Sequence, residues 1–153
     1  MKKLLIVIIA IIAFFSMSCK AFERYEDTNG DNNYTLQHIT EEMLIKNDSG
    51  LQVGAVSTKT TKNGETNISL SVMTFDGVNE IHRFKKGSYV VTINFKVSSG
   101  NTRLVITDGS KVIKGFNVNE DNQEYEFTCD KPYYLKLAGE SCEFELKVVV
   151  KSK

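Results

Sequence analysis

The side chains best suited to catalysis in this sequence are two histidines, and neither stands in a recognised catalytic motif. His38 lies near a segment with helical spacing, and His82 lies in the charged run Glu80-Ile81-His82-Arg83. No HExxH or GxSxG pattern supplies a nucleophile with a base. The sequence therefore favours a surface strand position for His82 over a catalytic role, and we assign no catalytic residue.

Oxygen ligands for a metal are suggested by Asp27-Thr28-Asn29-Gly30-Asp31, which imitates the opening of a calcium loop. The sixth position of such a loop needs Gly for its sharp turn and here is Asn32. The twelfth needs a bidentate carboxylate and here is His38. A solvated linker is the favoured interpretation, and we expect no metal or other cofactor.

Two cysteines, Cys129 and Cys142, could form a disulfide. The strand predicted between them would hold them about 20 Å apart, whereas a disulfide tolerates Cα atoms up to about 7 Å apart. We therefore predict two buried, unbridged thiols that act as small core residues.

The first residues have the order of an export signal. Met1-Lys2-Lys3 precedes an unbroken apolar run over residues 4–15, and Ser16-Met17-Ser18 follows it. A membrane-spanning helix needs about 20 apolar residues, so this run favours a cleaved signal over a permanent anchor. We predict that residues 1–18 form a signal peptide.

Cys19 follows this signal and resembles the acylated cysteine of the bacterial lipobox, with small Ser18 before it. The family usually has Leu where this chain has Ser16, and Ser16-Met17-Ser18 would also suit the ordinary signal peptidase. The resemblance implies lipidation at Cys19, with the chain anchored on the extracytoplasmic face of a bacterial cell membrane; cleavage and release is the alternative. Polar residues 20–33 would serve as a tether.

After the leader, composition and length fit one globular domain. Removing 18 residues from 153 leaves 135, with 17 basic and 19 acidic side chains because two of the 19 basic residues, Lys2 and Lys3, are in the leader. A net charge of −2 gives no reason to expect a nucleic-acid partner.

Alternation of apolar and polar residues predicts antiparallel strands from residue 51 onward. In the clearest case, residues 88–97, Tyr89, Val91, Ile93, Phe95 and Val97 share one face. The predicted runs are 51–59, 66–75, 79–85, 88–98, 102–107, 111–118, 124–129, 133–138 and 142–150. About eight strands of this kind predict an all-β, antiparallel two-sheet sandwich. We assign 19–50 to the tether and 51–153 to the sandwich. Residues 34–45 could form a short amphipathic helix, although Leu44 and Ile45 could equally open the first strand.

Turn residues fall between these runs. Asn63-Gly64 and Asp108-Gly109 are hairpin signals, since Asn, Asp and Gly tolerate positive φ. Asp76-Gly77, Ser99-Gly100 and Asp130-Lys131-Pro132 are predicted to supply other breaks between strands.

A binding surface could form where apolar and aromatic residues point away from the core. By alternation, Tyr134, Lys136, Val90 and Val105 lie on outward faces. The plainer interpretation is that sandwiches expose scattered apolar residues routinely.

The stretch 68–150 resembles a domain of small lipoproteins from low-GC Gram-positive bacteria, most of them of unknown function. The shared features are Phe75-Asp76-Gly77, Lys85-Lys86-Gly87, Asp108-Gly109 and the segment 134–140 before the closing strand. The layout is also similar to sandwich domains at the carboxyl ends of secreted peptidases. These motifs are structural, so the resemblance implies fold and location and no activity.

Three functional hypotheses follow. The favoured one is a cell-surface lipoprotein that binds an envelope protein or glycan through a non-catalytic module. The second is a carbohydrate-binding module, which exposed coplanar tyrosines would favour. The third is an extracellular hydrolase with an unrecognised site, which would need a pocket holding His82 or a carboxylate pair with a raised pKa.

Overall fold

The computed structural model describes residues 36–153, which form one short helix and seven strands. The elements are α1 (Glu41–Lys46), β1 (Ser49–Val53), β2 (Val56–Lys62), β3 (Glu65–Phe84), β4 (Gly87–Thr107), β5 (Val112–Phe116), β6 (Glu120–Cys129) and β7 (Tyr133–Ser152). All strand pairs are antiparallel, and β3, β7 and β4 are adjacent at the centre. The prediction of an antiparallel all-β fold is confirmed.

Each of the three central strands has about 20 residues and contributes to both layers of the sandwich. Layer 1 consists of the edge strands β2 and β6 with one part of each central strand between them: residues 65–72 of β3, 142–152 of β7 and 87–97 of β4. Layer 2 is the array β1, residues 77–84 of β3, 133–140 of β7, 101–107 of β4, and β5. One sheet thus folds over itself.

The fold line crosses the central strands at three glycines. The register shifts at residues 72–77 of β3, 97–101 of β4 and 139–142 of β7 around Gly77, Gly100 and Gly139. Gly77 and Gly100 have φ of 106° and 74°, which side chains disfavour. Gly139 is needed for space, because a Cβ there would lie 2.4 Å from Cys142 Sγ.

Polar groups at the fold line are satisfied within it. The buried Thr102 hydroxyl donates to the Ala138 carbonyl at 2.8 Å. The Asp76 carboxylate accepts from the Ser141 backbone N at 2.7 Å, where Ser141 itself has a positive φ of 47°. These bonds replace ladder bonds that the bend interrupts.

Aromatic side chains from both layers meet inside the fold. The Phe84 ring of layer 2 lies 5.1 Å from the Phe127 ring of layer 1, and Phe127 lies 5.8 Å from Tyr133 of layer 2. Near the fold line, Phe144 packs edge-on against Phe75 and Phe95, with ring centroids 6.0 Å apart in each case. The alternating apolar faces predicted from sequence are the faces that form this core.

The nine predicted runs correspond to seven strands because three pairs of runs are single strands. The predicted strand breaks at Asp76-Gly77 and Ser99-Gly100 were wrong: both lie at bends inside the continuous strands β3 and β4. The run 51–59 was wrongly predicted as one strand, since Gly54 and Ala55 divide it into β1 and β2.

The two-residue turn predicted at Asn63-Gly64 is confirmed, whereas the chain reverses at Asp108-Gly109 through the four residues 108–111 and not through a two-residue turn. Asn63 and Gly64 both have positive φ and join β2 to β3. The Asp108 carboxylate accepts from the backbone of Ser110 and Lys111 and pairs with Lys131 Nζ at 3.0 Å. The Ser110 hydroxyl also donates to Asp108 Oδ1, at 2.7 Å, and is the largest cause that holds the pKa of Asp108 well below its usual range, followed by the Lys131 and backbone bonds.

Replacing Gly139 with alanine should destabilise the sandwich. The new Cβ would overlap Cys142 Sγ and the Phe75 ring, and overpacking of this kind costs about 1–3 kcal/mol in the free energy of unfolding. Urea unfolding measures the loss. Gly115→Ala, in β5 where a Cβ meets no atom within 4 Å, is the matched control. Equal stabilities of the two variants would contradict the role given to Gly139.

Candidate functional site

Residues 36–48, which we call the strap, lie across the outer face of layer 2. Leu44 of α1 is 1% exposed and packs on Val78, Val105 and Ala138, with Leu36 and Ile39 beside it. Helix α1 is short, and Thr40 caps it by accepting from the Met43 backbone N at 3.2 Å. Helical spacing correctly predicted a helix here, although it begins only at Glu41. The sandwich unit therefore begins before residue 51.

Lys136 fixes the end of the strap. Its side chain is 5% exposed, and Nζ donates to the carbonyls of Ile45 and Asn47, each at 2.8 Å. These carbonyls lie at the carboxyl end of α1, where the helix dipole favours a cation. A lysine at this depth requires such partners, so Lys136 has a structural role under the strap.

Glu140 fixes the start of the strap. Its carboxylate accepts from three successive backbone N–H groups, those of Gln37, His38 and Ile39. His38 Nδ1 also lies 3.7 Å from it. Charge-assisted bonds of this kind are among the stronger ones in proteins. Glu140 and Lys136 thus hold the strap at both ends.

The four residues predicted as an outward binding face do not form one. Val105 is fully buried and Lys136 nearly so, because the strap covers them. Tyr134 is half-buried, with the Arg83 guanidinium 5.1 Å from its ring centre. Val90 lies in layer 1, opposite Lys151 and Glu126. Alternation assigned the outward direction correctly but could not reveal the cover.

Removing the Lys136 ammonium should loosen the strap. Lys136→Met keeps much of the apolar stem but leaves two partly buried carbonyls without their donor, which costs about 1 kcal/mol. Chemical denaturation gives the loss of stability, and hydrogen exchange should show faster exchange in α1. Lys96→Met, at an exposed position of β4, should leave both measurements unchanged. A Lys136→Met protein as stable as the Lys96→Met protein would refute this role.

His82 lies at the side of the fold where β2 forms the edge. Its ring packs edge-on against Phe84 with centroids 4.8 Å apart, and its Nδ1 is buried without a hydrogen-bond partner in the described part of the chain. Burial, followed by the nearby Lys59 charge, lowers the pKa of His82 to about 4, against an opposing effect of Glu80. The prediction of a surface strand residue is corrected: the ring is half-buried.

Stability should fall in mild acid because of His82. An unfolded histidine takes up a proton near pH 6.5 whereas folded His82 does so only near pH 4. The free energy of unfolding therefore decreases as pH falls through this window, by about 1 kcal/mol after allowance for partial solvent exposure. Urea unfolding of His82→Phe across the window should lack this component, and His38→Gln should retain it. Identical pH profiles for His82→Phe and the unsubstituted chain would exclude it.

Cys129 and Cys142 are both free and buried, as predicted. Cys129 Sγ donates to the Lys85 carbonyl at 3.0 Å. Burial raises the pKa of Cys142 to about 11. A thiol with so little thiolate at neutral pH is a poor nucleophile, which suits its packing position at the fold line.

Three tyrosines gather around Phe127, and their arrangement bears on the sugar-binding hypothesis. The rings of Tyr89, Tyr125 and Tyr133 lie 5.8, 5.4 and 5.8 Å from the Phe127 ring. They belong to inner faces of the two layers and are half-buried. They are therefore packing groups, and a coplanar platform on an outer face does not result from them.

The surface that sequence reasoning missed is the edge formed by β1 and β2, residues 49–62, which we call the open edge. Among residues 36–153, both strands pair with β3 alone, and every residue of β2 is exposed. Leu51, Val53, Val56 and nearby Met73 are each more than half exposed. The weak alternation of 57–62, which is rich in Thr and Lys, is the sequence signal that could have marked an edge strand.

Several predicted features lie outside the described residues, namely the signal 1–18, Cys19, the tether 20–33 and the calcium-like run 27–31. Within residues 36–153, no cluster of three or more His, Cys, Asp or Glu side chains is arranged to hold a metal ion. In the same range, no helix has the length and apolar character needed to cross a membrane.

In comparisons with known proteins, no family model, curated protein or solved structure matches this chain.

Proposed function

We propose that this chain is a lipid-anchored envelope protein that works as a binding module, held at the outer face of the bacterial membrane through Cys19. The observation that carries the binding role is the open edge, which presents unpaired strand backbone together with exposed apolar side chains. Protein partners commonly add a strand to such an edge.

The strap supports the anchored part of this proposal. The chain would arrive from Cys19 at residue 36, where Glu140 binds three consecutive backbone groups. Lys136 then binds the strap again at its other end. A pull on the anchor would therefore load a segment that is fastened to layer 2 at two points.

The length of the intervening chain sets the reach of the module. From Cys19 to Leu36 there are 36 − 19 = 17 residue steps, which span at most about 58 Å when fully extended. The sandwich would thus work close to the membrane surface.

Metabolic labelling with palmitate tests the anchor. The unsubstituted chain should incorporate label and fractionate with membranes, and Cys19→Ala should do neither. Cys129→Ala should still be labelled, since that thiol is buried. Label retained by Cys19→Ala, or absent from the unsubstituted chain, would refute the anchor.

A photo-reactive residue placed in the open edge tests the binding role. With benzoylphenylalanine in place of Thr58 of β2, illumination of the anchored protein in intact cells should give covalent adducts. The same probe in place of Lys96, which is exposed on β4, should give few. Equal adduct yields at the two positions would remove the open edge as the contact surface.

A further inference from the structure

Layer 1 has two free edges of opposite charge. Strand β2 carries Lys59 and Lys62, and no acidic residue occurs within residues 49–62. At the other edge, β6 pairs only with β4 within the described residues, and it carries Glu120, Asp121, Glu124 and Glu126 without a basic residue. Between two copies of the chain, the β2 edge therefore attracts the β6 edge, whereas two β2 edges or two β6 edges repel each other.

The strand register places these charges at opposite ends of common rows. One row across the outer face of layer 1 runs Lys62, Glu65, Lys151, Val90, Glu126. The next such row runs Thr60, Asn67, Val149, Thr92, Glu124. If a second copy lay beside the first in the same orientation, Lys62 of one copy would lie beside Glu126 of the other. Thr60 of the first would likewise lie beside Glu124 of the second.

The ion pairs within one copy are compatible with this placement of a second copy. Lys151 Nζ lies 3.6 Å from Glu65, so opposite charges already alternate along the first row. Glu126 is paired with Lys153 at 2.6 Å, while Glu124 has no ion-pair partner among residues 36–153. Charge complementarity of this kind selects a partner and fixes its register.

We propose that the partner at the open edge is a second copy of this chain, whose β6 adds beside β2 and extends layer 1 from copy to copy. The inference rests on the proposed role of the open edge. Because the two contacting edges differ, the contact is head-to-tail and leaves a free edge at each end, so it can repeat into an open chain. Copies related by translation pair these strands in parallel, since β2 and β6 run in the same direction.

Engineered cysteines test this arrangement in the full anchored chain. Paired strands lie about 4.8 Å apart, within the Cα separation that a disulfide accepts. Thr60→Cys combined with Glu124→Cys in one chain should give a ladder of dimers, trimers and larger products under mild oxidation in the membrane. The unsubstituted chain is the control for cross-linking through the native cysteines, and we call it the blank.

The single variants distinguish the possible contacts. Neither Thr60→Cys nor Glu124→Cys alone should cross-link above the blank, whereas their mixture should give a dimer and nothing larger. Dimers from Thr60→Cys alone would mean that β2 pairs with β2, and would overturn the proposal. Absence of a ladder from the double variant would also overturn it.

Charge reversal provides the second test. Adding Lys62→Glu to the double-cysteine chain should reduce the ladder about tenfold, the effect of roughly 1.4 kcal/mol per contact. Adding Glu126→Lys as well should restore it, which also shows that the reversed chain folds. If photo-adducts form at Thr58 with no ladder and no restoration, self-association is refuted while the proposed binding role stands.

Discussion

The molecule depends on close backbone approach along one line that crosses three neighbouring strands. Gly77 lies opposite Gly139 in the register, and a Cβ at Gly100 would lie 2.4 Å from the Ser141 carbonyl oxygen. Because these positions carry no side chain, β3, β7 and β4 can bend together and bring the inner faces of one sheet into contact. A two-layer core thus forms around three strands that both layers share.

The strap covers an apolar surface that the bend of the sheet does not bury. Bending buries the inner faces, but the outer face of layer 2 still presents Val78, Val105 and Ala138, which α1 covers. The covering segment is held by charge: a carboxylate at its start and an ammonium at its end, each bound to backbone groups. Buried charges with complete partners fix a unique position for the segment they hold. Within the part of the chain that the structure describes, no such segment covers the outer face of layer 1, which is a largely polar surface between the edge strands β2 and β6.

Much of the fold could be predicted from the sequence because period-2 alternation reports which side of a strand meets the core. The inward residues in the first half of β4 were identified in this way, and turn-residue preferences identified the turn at Asn63-Gly64. Alternation does not show which conformation the backbone adopts at a glycine. A bend within a strand and a reversal between two strands have the same residue preferences. Gly77 and Gly100 were therefore interpreted as chain breaks.

The candidate surfaces were less accessible to sequence reasoning, for a related reason. An outward position is exposed only if nothing covers it, and the contact of Leu44 with Val105 joins residues 61 positions apart (105 − 44). Lys136 was assigned to an outward face that could bind a ligand, because its partners are backbone carbonyls that no side-chain pattern reveals. The opposite charges of the two edges were visible in the sequence, but only the strand order shows that β2 and β6 bound the same layer.

The folding of one sheet onto itself is tested most directly by nuclear Overhauser contacts between aromatic protons of the two layers. The structure predicts cross-peaks between Phe84 and Phe127 and between Phe127 and Tyr133, whose ring centres are 5.1 and 5.8 Å apart. Their presence together with backbone contacts along β3, β7 and β4 would establish the bend. Intact backbone contacts without these aromatic cross-peaks would show that the long strands run straight, and would contradict the account.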